Sequence, residues 1–282
     1  MNTGVASAPG SSANLGPGFD VLAIAWELRC RVAVTQSPGW LVRQYGEEWR
    51  PHEGEFVRRA AEATGGGPFV IEIDNEVPRS RGLGSSSAVA ASIAAAAFRA
   101  QGIEPSDADL FAIVSRMDGH PDNAAAAVFG GLVLVDGPHH VRLELASNLL
   151  FLAAVPESPL RTDEARAALS ASIDREAVVR SLSRFGFLLQ GLQSGRPELL
   201  VRARGDELHE APRRGLSPLT GYLIAGALEA GALHASWSGA GPTVLAIVSS
   251  ESGPAQVAAA LEAILDGAGI VRRLEPASVG WQ

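Results

Sequence analysis

Apolar positions along this chain recur with two different periods, and the switches between them mark out the elements. Residues 5–8 read as a short strand leading into a Gly/Ser/Pro-rich loop. Residues 21–35, dense in apolar and β-branched side chains, read as a long strand or a hairpin. The spacing of Phe56, Val57, Ala60 and Ala61 predicts a helix over 53–64, stopped by Gly65-Gly66-Gly67. Alternation over 69–73 predicts a strand, 75–84 a loop, and the alanine-dominated stretch 85–101 a helix of high intrinsic propensity. Ser106, with Asp109 three residues on, predicts the N-cap of a helix running through Met117. Strands are expected at 131–136, 141–145 and 149–155, with Gly137-Pro138 turning between the first two. Further helices are expected at 162–171, 175–193, 197–204, 219–229 and 254–265, and strands at 233–237, 243–248 and 271–274. Strands and helices mix without strict alternation, which predicts an α+β fold and not a doubly wound parallel sheet. A break near 155–162 divides the chain into a first unit, 1–155, and a second, 156–282.

Composition narrows the chemistry. With 46% hydrophobic and 19% charged residues in 282, the chain is globular and large enough for one big or two modest domains. The net charge of −8 argues against nucleic acid as a partner. All 23 basic residues are arginine, because the sequence contains no lysine. That excludes a Walker loop, a protein-kinase strand lysine and a Schiff-base lysine. Any phosphate site must use backbone N–H groups, hydroxyls, arginine and metal ions. The one cysteine, Cys30, lies in an apolar run and cannot form an intrachain disulfide, which fits a reducing, cytoplasmic setting. The N-terminus lacks the basic flank and apolar core of a secretory signal. No apolar tract approaches the ~20 residues of a membrane span, so no membrane association is expected.

The most informative segment is Pro78-Arg79-Ser80-Arg81-Gly82-Leu83-Gly84-Ser85-Ser86-Ser87-Ala88. A glycine-bearing loop runs straight into a helix, whose first N–H groups have no internal partner and sit at the positive end of the helix dipole. Glycine lets backbone approach an anion closely, and three serine hydroxyls add donors and candidate metal ligands. A lysine-free chain could cradle a triphosphate in this way. The same stretch also fits an ordinary Gly-Ser turn capping an alanine helix. It is not a dinucleotide fingerprint, since Ser87 stands third after Gly84.

This loop resembles the phosphate loop of the GHMP superfamily, the galacto-, homoserine-, mevalonate- and phosphomevalonate kinases, whose pattern is Pro-x-x-x-Gly-Leu-Gly-Ser-Ser-x-Ala. Every fixed position matches. Other segments are similar to the homoserine kinase branch. Ser12-Ala13-Asn14-Leu15-Gly16-Pro17-Gly18-Phe19-Asp20 resembles its opening signature, and Asp118-Gly119-His120-Pro121-Asp122-Asn123 resembles its Glu-Gly-His-Pro-Asp-Asn. Thr162 and Arg166 match a Ser-Thr-x-x-Ala-Arg segment in which Arg161 replaces the usual Ser. Asp206, Leu208, His209 and Arg213 match Asp-x-Leu-His-x-x-x-Arg, with Glu210-Ala211-Pro212 where Gln-Pro-Tyr is usual. Ser238-Gly239-Ala240-Gly241-Pro242-Thr243 resembles the superfamily's C-terminal glycine motif. Taken singly, these segments also fit structural turns, caps, solvated arginine faces and a turn into a buried strand. Six in order, from residue 8 to residue 243, are hard to obtain by chance.

The resemblance implies a two-lobed α+β fold: an ATP-binding lobe over 1–155, like domain 2 of ribosomal protein S5, and a ferredoxin-like lobe over 156–282. It implies ATP-dependent phosphorylation of the side-chain hydroxyl of L-homoserine, with Mg²⁺, in a homodimer. Residues 78–88 would hold the phosphates, and Ser86 and Asp118 the metal. The family's Glu is one methylene longer than Asp118, which leaves direct or water-mediated ligation open. Arg166 and Arg213 would clamp the substrate carboxylate, and Asn14 and Asp20 its amino end, with Thr162 and Gly239 lining the site. Asn123 would orient the hydroxyl, with His120 and Asp122 beside it. A superfamily kinase of another small hydroxylated metabolite such as threonine, or a non-catalytic ATP- or metabolite-binding relative, would share most of these features.

Overall fold

The structure is a computed structural model that describes residues 2–44, 51–250 and 253–282, and the side chains of 51–53 are outside the description. The first sheet is organised on one long strand. β1 (Thr3–Asn14) pairs antiparallel with β2 (Gly18–Gln36) along nearly its whole length. The other edge of β2 is shared by two partners, β4 (Phe69–Asn75) against residues 30–36 and β5 (Leu132–Asp136) against 22–24. β3 (Leu41–Gln44) adds to β4, and β6 (His139–Leu143) to β5, giving the order β3-β4-β2-β5-β6 with β1 on β2.

Helices α2 (Ser85–Ala100) and α4 (Pro121–Phe129) pack on this sheet, α3 (Asp107–Asp118) packs against both of them, and α1 (Pro51–Glu62) packs against α2 and α3. The alanine run makes α2 burial possible. Twelve of its sixteen residues are buried, and a Cβ on Gly4 of β1 would fall 2.0 Å from Ala96 O. Larger side chains would hold strand and helix apart. Ser106 caps α3 as expected, its Oγ accepting from Asp109 N at 3.1 Å.

The second sheet has the order β10-β7-β9-β8, all antiparallel, from β7 (Leu149–Pro156), β8 (His234–Trp237), β9 (Val244–Ser249) and β10 (Gly269–Leu274). With α9 (Pro218–Glu229) after β7 and α10 (Pro254–Leu265) after β9, this is the ferredoxin-like arrangement. Between β7 and α9 lie α5 (Thr162–Ala167), α6 (Arg175–Ser194), α7 (Pro197–Arg202) and α8 (Glu210–Arg213). Leu152, Ala154, Val244 and Ala246 pack toward α9 and α10, while Phe151, Leu245 and Ile247 join the core of the first lobe. Among the described residues, no helix is long and apolar enough to cross a membrane.

Three expectations need correction. Residues 8–14 are not loop; they continue β1, because small side chains allow that strand to pass close to the start of α2. The lobes do not divide at 155, since β7 already belongs to the second sheet and the chain crosses over between Leu143 and Leu149. Nor does the second lobe keep everything to 282. The last residues return to the first sheet, where Ala277 N donates to Ala25 O at 2.9 Å and Gln282 N to Ser7 O at 2.9 Å.

Candidate active site

The start of α2 borders a cavity of about 680 Å³. Gly84 is the N-cap, in left-handed backbone (φ 66°, ψ 25°), with no side-chain cap and no acidic residue in the first turn among the described residues. The leading N–H groups therefore lack intrahelical partners and present partial positive charge. Eight of the eleven residues 78–88 line the cavity; Arg81, Ser87 and Ala88 do not. Arg81 turns away, its Nε donating to Pro156 O at 2.8 Å. Packing within the protein itself calls for glycine in this loop. A Cβ on Gly84 would fall 2.0 Å from Ser11 Oγ, and one on Gly82 2.0 Å from Ser238 O. Glycine is required at both positions because the loop is pressed between β1 and the 238–243 turn.

Asp118, the last residue of α3, closes over this helix start. Ser86 Oγ donates to one of its oxygens and Ser87 Oγ to the other, both at 2.5 Å. A carboxylate, two hydroxyls and free N–H groups at one point suit a divalent cation carried with phosphate. Hard oxygens are what such an ion takes, and it tolerates few protein ligands. Among the described residues no group of three or more acidic, His or Cys side chains could hold a metal alone. Phosphate oxygens would have to complete the set.

A small polar pocket opens off the cavity, and His120, Asn123, Thr162 and Gly239 line both. Asn14 and Asp20 hold left-handed backbone (φ 71° and 59°), which folds the turn after β1 toward it. Asn14 is spent within the protein: its Nδ2 donates to Gly239 O at 2.8 Å, and its Oδ1 accepts from Asp20 N at 3.0 Å. Arg166 Nη2 donates to Asp20 Oδ1 at 2.6 Å and lies 2.9 Å from His120 Nδ1, while its buried Nε has no hydrogen-bond partner among the described residues. Burial and then the Arg166 charge hold His120 below its ordinary range, so it is neutral and accepts through Nδ1.

Arg213 is only 2% exposed. Its Nε donates to Ala165 O at 3.2 Å, and its Nη1 lies 3.1 Å from Gly239 O and 2.9 Å from His209 Nδ1. Burial, with the Arg166 charge second, lowers it to about 10.

Asp122, on the first turn of α4, is buried and pushed up to about 7 by desolvation. Its Oδ1 accepts from the backbone N of Asn123 at 2.7 Å. Asn123 Oδ1 in turn accepts from Ser11 Oγ at 2.8 Å, which fixes the amide on the wall between cavity and pocket.

Two residues without a role in the sequence reading hold this site together. The Phe19 ring stacks on His209 at 5.0 Å between centroids, and the Cζ atoms of Arg166 and Arg213 each lie 5.6 Å from its centre. Burial drives His209 down to about 4. As a neutral ring it gives Nε2–H to Gly16 O at 2.8 Å and accepts from Arg213 through Nδ1. Both residues stand inside recognised motifs, which is the signal that could have found them. Cys30 is buried in β2, and burial raises its thiol to about 12, so it is no nucleophile.

The chain matches the description GHMP kinases N terminal domain over residues 54–131 and GHMP kinases C terminal over 188–266. Homoserine kinase of Moorella thermoacetica is 37% identical over 269 residues, spanning 89% of this chain and 90% of that protein. Homoserine kinase of Deinococcus radiodurans is 38% identical over 251 residues, 84% of this chain and 82% of its own. The crystal structure of homoserine kinase from Cytophaga hutchinsonii superposes with a TM-score of 0.87 at 26% identity, covering 100% of this chain and 97% of that one. With both domains matched and relatives aligned over most of its length, the chain belongs to the GHMP kinase family, among the homoserine kinases.

Proposed function

We propose that this protein transfers the terminal phosphoryl group of ATP to the side-chain hydroxyl of L-homoserine, giving O-phospho-L-homoserine. The observation that carries this reading is the shared wall. An anion cradle and a pocket holding two arginines and two aspartates meet at His120, Asn123, Thr162 and Gly239. A phosphate donor on one side and a small zwitterion on the other would meet there. Phosphoryl transfer asks mainly for positioning and charge neutralisation, which this arrangement offers.

In this reading residues 82–87 hold the phosphates through backbone N–H groups. Asp118 and Ser86 would hold Mg²⁺, which neutralises phosphate charge as it is transferred. Arg166 and Arg213 take the substrate carboxylate, because planar guanidinium matches its two oxygens. The Asp20 oxygen not bonded to Arg166 takes the ammonium. Asn14 acts indirectly, by fixing Asp20 and Gly239. Asn123 orients the hydroxyl through its Nδ2. Asp122, closed off from solvent and bonded to the Asn123 N–H, acts as the positioning group of that amide.

The test is ADP release, followed with homoserine, threonine, serine and mevalonate as acceptors. Homoserine should give the highest kcat/KM. Turnover on threonine alone would move the assignment to another amino-acid kinase of the same family. ATP binding without turnover on any acceptor would make the chain a binding protein.

A further inference from the structure

We infer that Arg161 is a ligand of the nucleotide's terminal phosphate, and that it exchanges Asp163 for that phosphate when the nucleotide enters. The inference rests on the nucleotide reading of the larger cavity. It concerns a residue at which this chain departs from the pattern it resembles, an arginine in place of a serine.

Placement comes first. The segment leading to Arg161 is laid on the phosphate loop: Leu160 N donates to Ser80 O at 3.1 Å, and Arg81 Nε reaches Pro156 O at 2.8 Å. Arg161 follows Leu160 directly and lines the cavity. Its neighbour Thr162 lines both the cavity and the small pocket. Arg161 therefore stands one residue from the junction where the transferred group must lie.

Its present bond is replaceable. Nε and Nη2 of Arg161 donate to the two oxygens of Asp163 at 3.0 and 2.6 Å. The two side chains are 75% and 67% exposed. An ion pair this open to water contributes little, so another partner can displace it cheaply. A fork already shaped around two carboxylate oxygens fits two phosphate oxygens equally well. The chain has no lysine, so an arginine must supply any side-chain cation the phosphates use. Asp163 then serves as a resting counter-ion that competes with the nucleotide.

Calorimetric titration with Mg²⁺ and either the β,γ-imido analogue of ATP or ADP tests this on the full chain. Arg161→Ser should weaken the analogue roughly five- to tenfold, the loss of a charged hydrogen bond offset by the weak pair it replaces, and leave ADP within about twofold. Asp163→Asn should tighten the analogue about two- to threefold in the wild-type background and have no effect in Arg161→Ser. Unchanged analogue affinity in Arg161→Ser would overturn the inference. So would an equal loss for ADP, or an Asp163→Asn gain that persists in full without Arg161. Wild-type protein that fails to bind the analogue would overturn the nucleotide reading itself, and this inference with it.

Discussion

Replacing Arg213 by lysine keeps the charge and removes the fork. Three bonds now hold the guanidinium, to Ala165 O, Gly239 O and His209 Nδ1, and Nη2 makes no hydrogen bond among the described residues. That nitrogen is the one available to a substrate carboxylate. A single ammonium cannot keep the internal bonds and also reach the substrate. Losing one charge-assisted hydrogen bond costs about 1.5–3 kcal/mol, so KM for homoserine should rise about ten- to a hundredfold at pH 7. KM for ATP should change much less. The environment adds a second signature. Burial already lowers arginine here to about 10 from its ordinary 12.5. Lysine starts lower, at about 10.4 in water, so the same burial brings its ammonium toward the assay range. Raising the pH then strips the charge, and the ratio of mutant to wild-type KM should climb between pH 7 and 9. Using the ratio cancels the titration of the substrate. The assay is coupled ADP release, with a melting curve to show that the variant is folded. A ratio near one at pH 7 would refute the carboxylate role, and a ratio flat with pH would refute the burial argument.

Other substitutions separate the remaining roles. Asp118→Asn should raise the Mg²⁺ requirement and lower kcat at least about tenfold while leaving KM for homoserine nearly unchanged; unaltered magnesium dependence would remove Asp118 from the metal site. Asp118→Glu should also slow turnover, because both carboxylate oxygens already meet serine hydroxyls at 2.5 Å and a longer arm overshoots them; a gain in activity would show a relaxed site. Gly84→Ala places a Cβ 2.0 Å from Ser11 Oγ at positive φ, costing about 1–3 kcal/mol of stability. Adding Ser11→Ala should return part of that cost, and a double variant no more stable than the single would deny the contact. Glu210 is buried, accepts from Trp237 N at 2.8 Å, and is raised by desolvation from 4.5 to about 8. The folded chain thus keeps a proton that the unfolded chain loses across that window, and stability falls as pH rises through it. Glu210→Gln should gain about 1–3 kcal/mol over wild type by pH 9 and nothing near pH 4.5, read from urea unfolding; a pH-independent difference would contradict it.

Much of the fold was legible because the long elements carry clear periods. The alanine helix, the capped helix after Ser106 and the central strand all lie within a few residues of where the pattern puts them. Residues 8–14 misled because Pro, Gly and Ser are poor strand formers. Their composition reflects closeness instead: a Cβ on Gly10 would lie 2.9 Å from Leu83 O. Four-residue elements such as β3 and α8 offer too few positions for any period to show. Which sheet β7 joins depends on partners about a hundred residues away, and no local pattern states that.

The site was legible as residue types but not as a circuit. Six motifs placed the right chemistry in order, yet with 23 arginines nothing local marks out two of them. What distinguishes Arg166 and Arg213 is long-range. Phe19 lies 5.6 Å from both guanidinium carbons, and His209 reaches back to Gly16 across 193 positions. The charge balance then follows from burial. Asp20 pairs with Arg166, but no carboxylate comes within ion-pair distance of Arg213 among the described residues. Its immediate neighbours are carbonyls and a histidine kept neutral by its own burial. A neutral acceptor steadies the guanidinium without cancelling its charge, whereas an acid there would have satisfied Arg213 in advance. A buried cation with no ion pair of its own is costly to hold, and burial lowers its pKa although the Asp20, Asp206 and Glu210 charges act to raise it. A substrate carboxylate relieves the cost on entering. A neutral analogue of the same size would not, so the same strain that burdens the empty pocket selects for an anionic end group.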